Sequence, residues 1–256
     1  MDVIAHNQQS WDERVRTGDR WTVPVGAVEI EQARAGRISI VLTPTKPVPA
    51  DWFPPLQGAR VLALASGGGQ QTPLLAAAGA DVTVLDLSEA QLEQDRATAH
   101  RFGLHIRAVQ GVMADLGAFD DASFDLVVHP CSNIFAPDLA PVWRECARVT
   151  RRGGVLMWGF SKAESVLLVN EPQGSDQFAL RYKMPYSDTH SLTQQERDVF
   201  LAKNEPLIFG HSLEDQIGGL LANGFQLTHL FEDDWGGREP LDAYFKAFVA
   251  ARAVRV

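Results

Sequence analysis

From Arg60 onward the chain alternates short apolar runs with longer stretches whose apolar positions recur every three or four residues. Val61–Ala65 is a short apolar run, and Asp81–Asp86 (DVTVLD) is rich in β-branched residues, so each predicts a buried strand. Between them Gln71–Ala78 predicts a helix stopped by Gly79. Ser88 is a good helix cap with Glu89 and Gln91 in the first turn, which predicts a helix to about Phe102 before Gly103. The same pattern predicts strands at Leu104–Val109, within Ser123–His129 and at Val155–Gly159, with a helix from Asp138 to about Val149 before the last of them. Strands separated by helices of this length require right-handed crossovers, hence a parallel sheet.

The flanks read differently. Residues 1–58 form an N-terminal cap, with a short helix over Asn7–Arg16, followed by a strap, TPTKPVPADWFPPLQG. Its five prolines forbid regular helix and predict an extended path across a surface. Residues 59–160 hold the alternating core. Residues 161–211 break the rhythm and read as an insertion, with a strand at Phe178–Met184 and a helix at Thr193–Lys203. Residues 212–256 return to it, with a helix SLEDQIGGLLANGF and then strands near Phe225–Phe231 and Tyr244–Ala251. The link between those two strands is too short for a crossover helix, which predicts an antiparallel pair.

Composition narrows the function. The net charge of −9 argues against a nucleic-acid partner, because phosphate binding needs a basic face. Two cysteines, Cys131 and Cys146, make neither a disulfide framework nor a metal site, and no zinc-type ligand spacing occurs. A polar start without an apolar signal core, and no apolar run of spanning length, predict a cytoplasmic chain away from membranes.

In an open α/β sheet, ligands bind beyond the carboxyl ends of the strands, which directs attention to the loops that follow each strand. After the first strand comes ASGGGQQ, where glycines let a backbone approach a ligand and turn into a helix. Asp86 ends the second strand 19 residues after Gly67, at the place where a carboxylate accepts from ribose hydroxyls. The dinucleotide pattern G-x-G-x-x-G fails: Gly67 and Gly69 are followed by Thr72 in place of the last glycine.

These segments, in this order, resemble the class I S-adenosylmethionine-dependent methyltransferases. VLALASGGGQ is similar to that family's glycine motif, VTVLDLSEAQL to its ribose motif and VQGVMADL to the stretch after strand three. FDLVVHPCSN is similar to its fourth motif and RVTRRGGVLMWGF to its Gly-Gly turn and fifth strand. SLEDQIGGLLANGFQLTHLFED resembles the last helix and sixth strand, and the N-terminal SWDERV…GDRWTVPV resembles a small bacterial subgroup. The resemblance spans 60–160 and 212–252 and implies a doubly wound seven-stranded sheet, order 3-2-1-4-5-7-6, mostly parallel with one antiparallel strand and helices on both faces.

It implies S-adenosyl-L-methionine as cofactor, bound by Ala65, Ser66, Gly67, Gly68, Gly69, Gln70, Gln71, Asp86, Leu87, Gln91, Met113, Ala114, Asp115, His129 and Trp21. Ala63 stands where the family commonly has an acid and Ala65 where it has its first glycine, so Gln70 and Gln71 are expected to compensate through their amides. Val112 replaces the acid that accepts from the adenine amino group, and Asp115, three residues on, is expected to take that part. His129 at the rim of strand four is a candidate catalytic group. So are Tyr186 and Asp188, whose alternation with His190 puts all three on one face of an extended segment. The expected reaction is in-line methyl displacement onto a small-molecule acceptor. The alternatives are a binding-only protein for S-adenosylmethionine or S-adenosylhomocysteine and, further off, a nicotinamide-dependent oxidoreductase.

Overall fold

The seven strands that the hydrophobic pattern marks out pair into one sheet in the computed structural model, which describes residues 1–170 and 177–256. We number them β1 (Arg60–Leu64), β2 (Asp81–Asp86), β3 (Ile106–Gln110), β4 (Phe124–His129), β5 (Thr150–Ser161), β6 (Phe225–Asp233) and β7 (Phe248–Arg255). Their order across the sheet is 3-2-1-4-5-7-6. Strands β1 to β5 are parallel to one another, while β7 lies antiparallel between β5 and β6. The parallel centre is apolar along its length: Val61, Leu62, Ala63 and Leu64 are all fully buried. That is the mark of a sheet covered on both faces.

Successive residues of each strand feed opposite cores. Leu62, Leu64, Val127, Leu156 and Trp158 pack with Trp143 and Leu220 on one face. Val61, Val82, Val128 and Met157 pack with Leu74, Leu75, Ile30 and Trp52 on the other. The longer helices among the described residues are α1 (Val3–Thr17), α2 (Ala27–Arg34), α3 (Gln71–Ala77), α4 (Glu89–Phe102), α5 (Ala140–Val149) and α6 (Gln194–Ala202). The last helical segment has a π turn at Glu214–Gly218 that runs into an α turn at Gly219–Ala222.

Helix α1 and the start of the strap reach the carboxyl ends of the strands, while α2 packs on α3 at one face of the sheet. Helix α1 starts at Asp2, whose side chain accepts from Ala5 N, and so is longer than the short helix expected around Trp11. Helix α2 was not expected at all. Its sequence AVEIEQAR carries little apolar periodicity, and Glu29 reaching back to Gly26 N at 3.1 Å defines its start. The strap crosses the sheet with Leu42, Thr43, Val48 and Trp52 buried, interrupted by one helical turn at Ala50–Trp52. It is pinned to β6 by Asp233, which accepts from Thr45 N (2.9 Å), Thr45 Oγ1 (2.6 Å) and Lys46 N (2.9 Å).

The insertion is more broken than its sequence pattern predicts. Phe178–Leu180 pairs with Leu168–Asn170, and Tyr186–Ser187 pairs with Phe209–Gly210, in place of one continuous strand to Met184. No helix among the described residues is long and apolar enough to cross a membrane.

Candidate functional site

A cavity of about 740 Å3 opens where β1, β2 and β4 end, roofed by α1, the strap, the insertion and the β6–β7 connection. That volume is in the ordinary range for small-molecule and cofactor sites. Its floor is the loop Ala65–Gln70 and its side wall the turn after β2.

The glycine loop is held from within. Gly67 N donates to Asp86 Oδ2 (2.9 Å), Gly68 N to the Gln91 carbonyl (3.1 Å) and Gly69 N to Asp95 Oδ1 (3.2 Å). These three amides are therefore spent on the protein, and the loop's contribution to a ligand is its close approach. A methyl group on Gly67 would lie 2.8 Å from Gln91 Cβ, and one on Gly68, at φ +102°, would lie 2.6 Å from Gln91 Oε1. Only glycine adopts that backbone readily. Ala65 sits at φ +47°, a left-handed position that alanine tolerates poorly and that a glycine would relax.

Asp86 receives two backbone donors, Gly67 N and Ser88 N (3.0 Å), and lines the cavity beside Leu87. Burial raises its pKa, against the lowering effect of those amides, and the nearby Asp12 raises it further. Two unexpected residues shape this corner. Asp12 of α1 accepts from Ser88 Oγ (2.6 Å) and Ala90 N (3.2 Å), so the cap helix supplies a second acceptor at the start of α4. Asp95, fully buried, anchors Gly69. Burial first, then repulsion from Asp86, lifts its pKa well above the usual carboxylate range. Its signal was present in the sequence, since Asp95 falls on the buried stripe of α4 with Gln91, Leu92, Thr98 and Ala99.

The cavity takes in most of the expected cofactor residues: Ala65, Ser66, Gly67, Gln70, Gln71, Asp86, Leu87, Gln91, Met113, Ala114 and Trp21. Gly68 and Gly69 lie just behind its wall. The expectation for the two glutamines is corrected only in part: both line the cavity, but one end of each amide holds a neighbouring segment. Gln70 Nε2 donates to the carbonyls of Arg20 (2.9 Å) and Val23 (3.0 Å), and Gln71 Oε1 accepts from Val41 N (3.2 Å). Both amides fasten the cap and strap to the loop. Asp115 is also corrected: it is exposed, its Oδ1 takes Gly117 N at 3.0 Å, and Val112, Met113 and Ala114 form that wall instead.

The three catalytic candidates lie outside the cavity lining. His129 is wholly buried, with Nδ1 2.9 Å from the Leu64 carbonyl and its ring edge-on to Trp143. Burial pulls its pKa down to about 4, only partly offset by the Leu64 bond, so the ring is neutral. Strand burial set this, because β4 is flanked by β1 and β5 and the end of the strand remains inside. Tyr186 and Asp188 form a clip. Tyr186 Oη donates to Asp188 Oδ1 (2.6 Å) and Ile208 N to Asp188 Oδ2 (2.7 Å), which ties the two short strands of the insertion together. The common face expected with His190 is lost because the chain turns helical at Asp188–Ser191. Burial raises the pKa of both Tyr186 and Asp188.

The neutral His129 has a measurable consequence. Its folded pKa of about 4 lies below the ordinary 6.5, so the unfolded chain takes up a proton first as pH falls. Stability present above pH 6.5 is therefore lost down to about pH 4, by about 3 kcal/mol for this group. The raised carboxyls of Asp86 and Asp95 act with the opposite sign, because the folded state protonates first there. The comparison that isolates the histidine is urea denaturation of the native chain and His129→Gln at pH 7 and pH 4. The native chain is expected to lose about 3 kcal/mol more than the variant. Equal losses would show that the ring is not held neutral inside the fold.

Four lining residues, Arg14, Thr43, Ser66 and Gln91, carry a buried polar atom without a partner among the described residues, and the two at the Asp86 end tell what that end is built to receive. Ser66 Oγ and Gln91 Oε1 are buried, belong to residues of the lining, and have no hydrogen-bond partner among the described residues. Native proteins rarely bury such atoms unpaired, so a polar ligand is expected there. Together with the Asp86 carboxylate, these acceptors and a hydroxyl suit a ribose and an amino-acid end, while Val112, Met113 and Ala114 offer an apolar slot for a base.

Comparison with known proteins agrees with this geometry. Residues 62–158 match the family model described as Methyltransferase domain. The chain is 48% identical over 254 residues to a Bacillus subtilis protein named "Uncharacterized methyltransferase YbaJ", covering 99% of both chains. Among solved structures it is similar to an S-adenosylmethionine-dependent methyltransferase from Mesorhizobium loti, with TM-score 0.61, 18% identity, and 80% of this chain and 94% of that one covered. A second, described as a putative S-adenosylmethionine-dependent methyltransferase from Listeria monocytogenes, superposes with TM-score 0.64 at 16% identity, with the same coverage of 80% and 94%.

Proposed function

Because this chain belongs to the class I S-adenosylmethionine-dependent methyltransferases, we propose that it transfers the methyl group in line to a small molecule enclosed beneath its cap. Membership of that family removes the nicotinamide-dependent alternative, and kinship with named methyltransferases favours turnover over the binding-only one. The cofactor is S-adenosyl-L-methionine. The observation that carries the small-molecule reading is the enclosure. One cavity joins the glycine loop and Asp86 to a chamber roofed by α1, the strap and the insertion, which leaves space for a compact acceptor.

The parts follow from their chemistry. Asp86 would hold the ribose hydroxyls, and Ser66 and Gln91 would meet the polar atoms of the amino-acid end. Val112, Met113 and Ala114 would flank the adenine. When bound, the cofactor supplies a methyl group activated by a sulfonium leaving group. The protein's own work is then to align the acceptor, keep water away and hold that alignment. Water exclusion falls to the roof. Asn7 of α1 exchanges hydrogen bonds with both backbone groups of Leu207 (3.0 and 2.8 Å), and His6 Nε2 meets the Glu205 carbonyl (2.9 Å). The same helix grips the ribose turn through Asp12, so cap, insertion and cofactor loop form one lid. Trp11 and Trp21 line the cavity, and aromatic surroundings suit a cation such as a sulfonium.

The test is to incubate the enzyme with methyl-labelled S-adenosylmethionine and a fractionated bacterial extract. Label is expected in the fraction of molecules below about the size of a dinucleotide. Label confined to protein or nucleic acid would overturn the small-molecule reading.

A further inference from the structure

The acceptor chamber carries its own statement of what it takes, given the reading that the cofactor occupies the Asp86 end. We propose that the acceptor is an uncharged molecule bearing an aromatic ring, and that anionic acceptors are rejected. The first ground is the wall. Trp11, Phe135, Phe178, Phe200, Ile208 and Phe248 line the chamber from five separate segments, the cap helix, the loop after β4, two parts of the insertion and the stretch just before it rejoins the sheet, and from β7. Trp11 stands edge-on to Phe135 with centroids 5.3 Å apart, and Trp235, also in the lining, stands edge-on to Phe248 at 4.9 Å. Rings in such arrays offer both faces and edges, which an aromatic guest satisfies better than a polar one.

The second ground is charge. Arg14 is the one basic residue among the described residues of the lining. Its Nη1 and Nη2 are already bound to Asp19 (2.5 Å) and Glu205 (2.5 Å), which leaves Nε as its one nitrogen without a partner among the described residues, and the guanidinium carbon lies 5.5 Å from the centre of the Trp11 ring. Two carboxylates on one guanidinium leave a local excess of negative charge. Glu239 adds another carboxylate at the lining. A carboxylate or phosphate entering this chamber would lose its water and gain no counter-charge, a costly exchange. A neutral ring would lose little and cover apolar surface.

Arg14 makes the proposal testable in both directions. The protein is saturated with S-adenosylhomocysteine, and tryptophan fluorescence is followed during titration with naphthol or with naphthoate, two probes of the same shape. Naphthol is expected to bind at least about tenfold more tightly than naphthoate. Glu205→Gln releases one side of the Arg14 guanidinium and is expected to narrow that ratio by about fivefold or more, by improving naphthoate binding. Phe200→Ser is expected to weaken naphthol binding, with the S-adenosylhomocysteine affinity kept. Naphthoate binding as tightly as naphthol in the native chain would overturn the proposal, and so would binding of neither probe to the saturated protein. Failure to bind S-adenosylhomocysteine at all would instead overturn the placement of the cofactor.

Discussion

Replacing Asp86 by alanine is expected to weaken S-adenosylhomocysteine binding by about 1.5–3 kcal/mol, roughly ten- to 150-fold in Kd. Of the two carboxylates that accept from the glycine loop, Asp86 and Asp95, Asp86 is the one that lines the cavity, and hydrogen bonds to a charged group are worth about that much. Folding stability should change far less. Burial raises the pKa of Asp86, so near neutral pH its charged form is worse off in the fold than in the unfolded chain. Removing it relieves that cost and, on the other side, deprives Gly67 N and Ser88 N of their acceptor. Asp86→Asn keeps one acceptor oxygen and should fall between native and alanine in affinity. Calorimetric titration paired with thermal unfolding reads both quantities. An unchanged Kd in the alanine variant would remove Asp86 from the binding site.

Gly159→Ala should damage the protein more broadly. A methyl group at this position in β5 would lie 1.9 Å from the Leu42 carbonyl oxygen and 2.7 Å from its carbon. Both are backbone atoms of the strap and cannot swing aside as a side-chain tip could. The same carbonyl accepts from Cys131 N at 3.0 Å, so lifting the strap also breaks its tie to the loop after β4. Val41, Leu42, Thr43 and Pro44 line the cavity, hence the site opens with the strap. Overpacking against a well-filled core costs about 1–3 kcal/mol, and a backbone contact this short belongs at or beyond the upper end. Urea denaturation is expected to show that loss, accompanied by weaker S-adenosylhomocysteine binding. A variant with native stability and affinity would mean that the strap does not bear on β5.

The sheet was legible because its signals are local. Buried parallel strands announce themselves as short apolar runs, and their order was what the resemblance to the methyltransferases implied. The ribose turn was legible for a similar reason: Asp86, Ser88 and Gln91 lie within six positions of one another. What escaped the sequence depends on distant partners. Asp12 reaches the start of α4 across 76 positions, and nothing in WDERV states where its carboxylate points. Asp95 lies on the buried stripe of α4, a position legible from the helical period, but its bond to Gly69 N, 26 positions away, is not. His129 has the chemistry of a catalytic base, but its place between β1 and β5 leaves it inside, a property of neighbouring strands rather than of its own segment. Tyr186 and Asp188 show the same ambiguity. A tyrosine and an aspartate two residues apart serve acid–base chemistry or a buried clip equally well, and only the position of Ile208 N distinguishes them. The glutamines of GGGQQ were correctly placed at the cavity, yet their amides serve the cap.

The central claim is that this single cavity seats the cofactor with its ribose on Asp86 and its methyl-donating end toward the aromatic chamber. A crystal structure with S-adenosylhomocysteine tests it most directly. The account predicts ribose hydroxyls within hydrogen-bond distance of the Asp86 carboxylate, adenine against Val112, Met113 and Ala114, and the sulfur facing the space between Trp11, Trp21 and Phe135. A nucleoside seated elsewhere, or a sulfur turned away from that space, would contradict it.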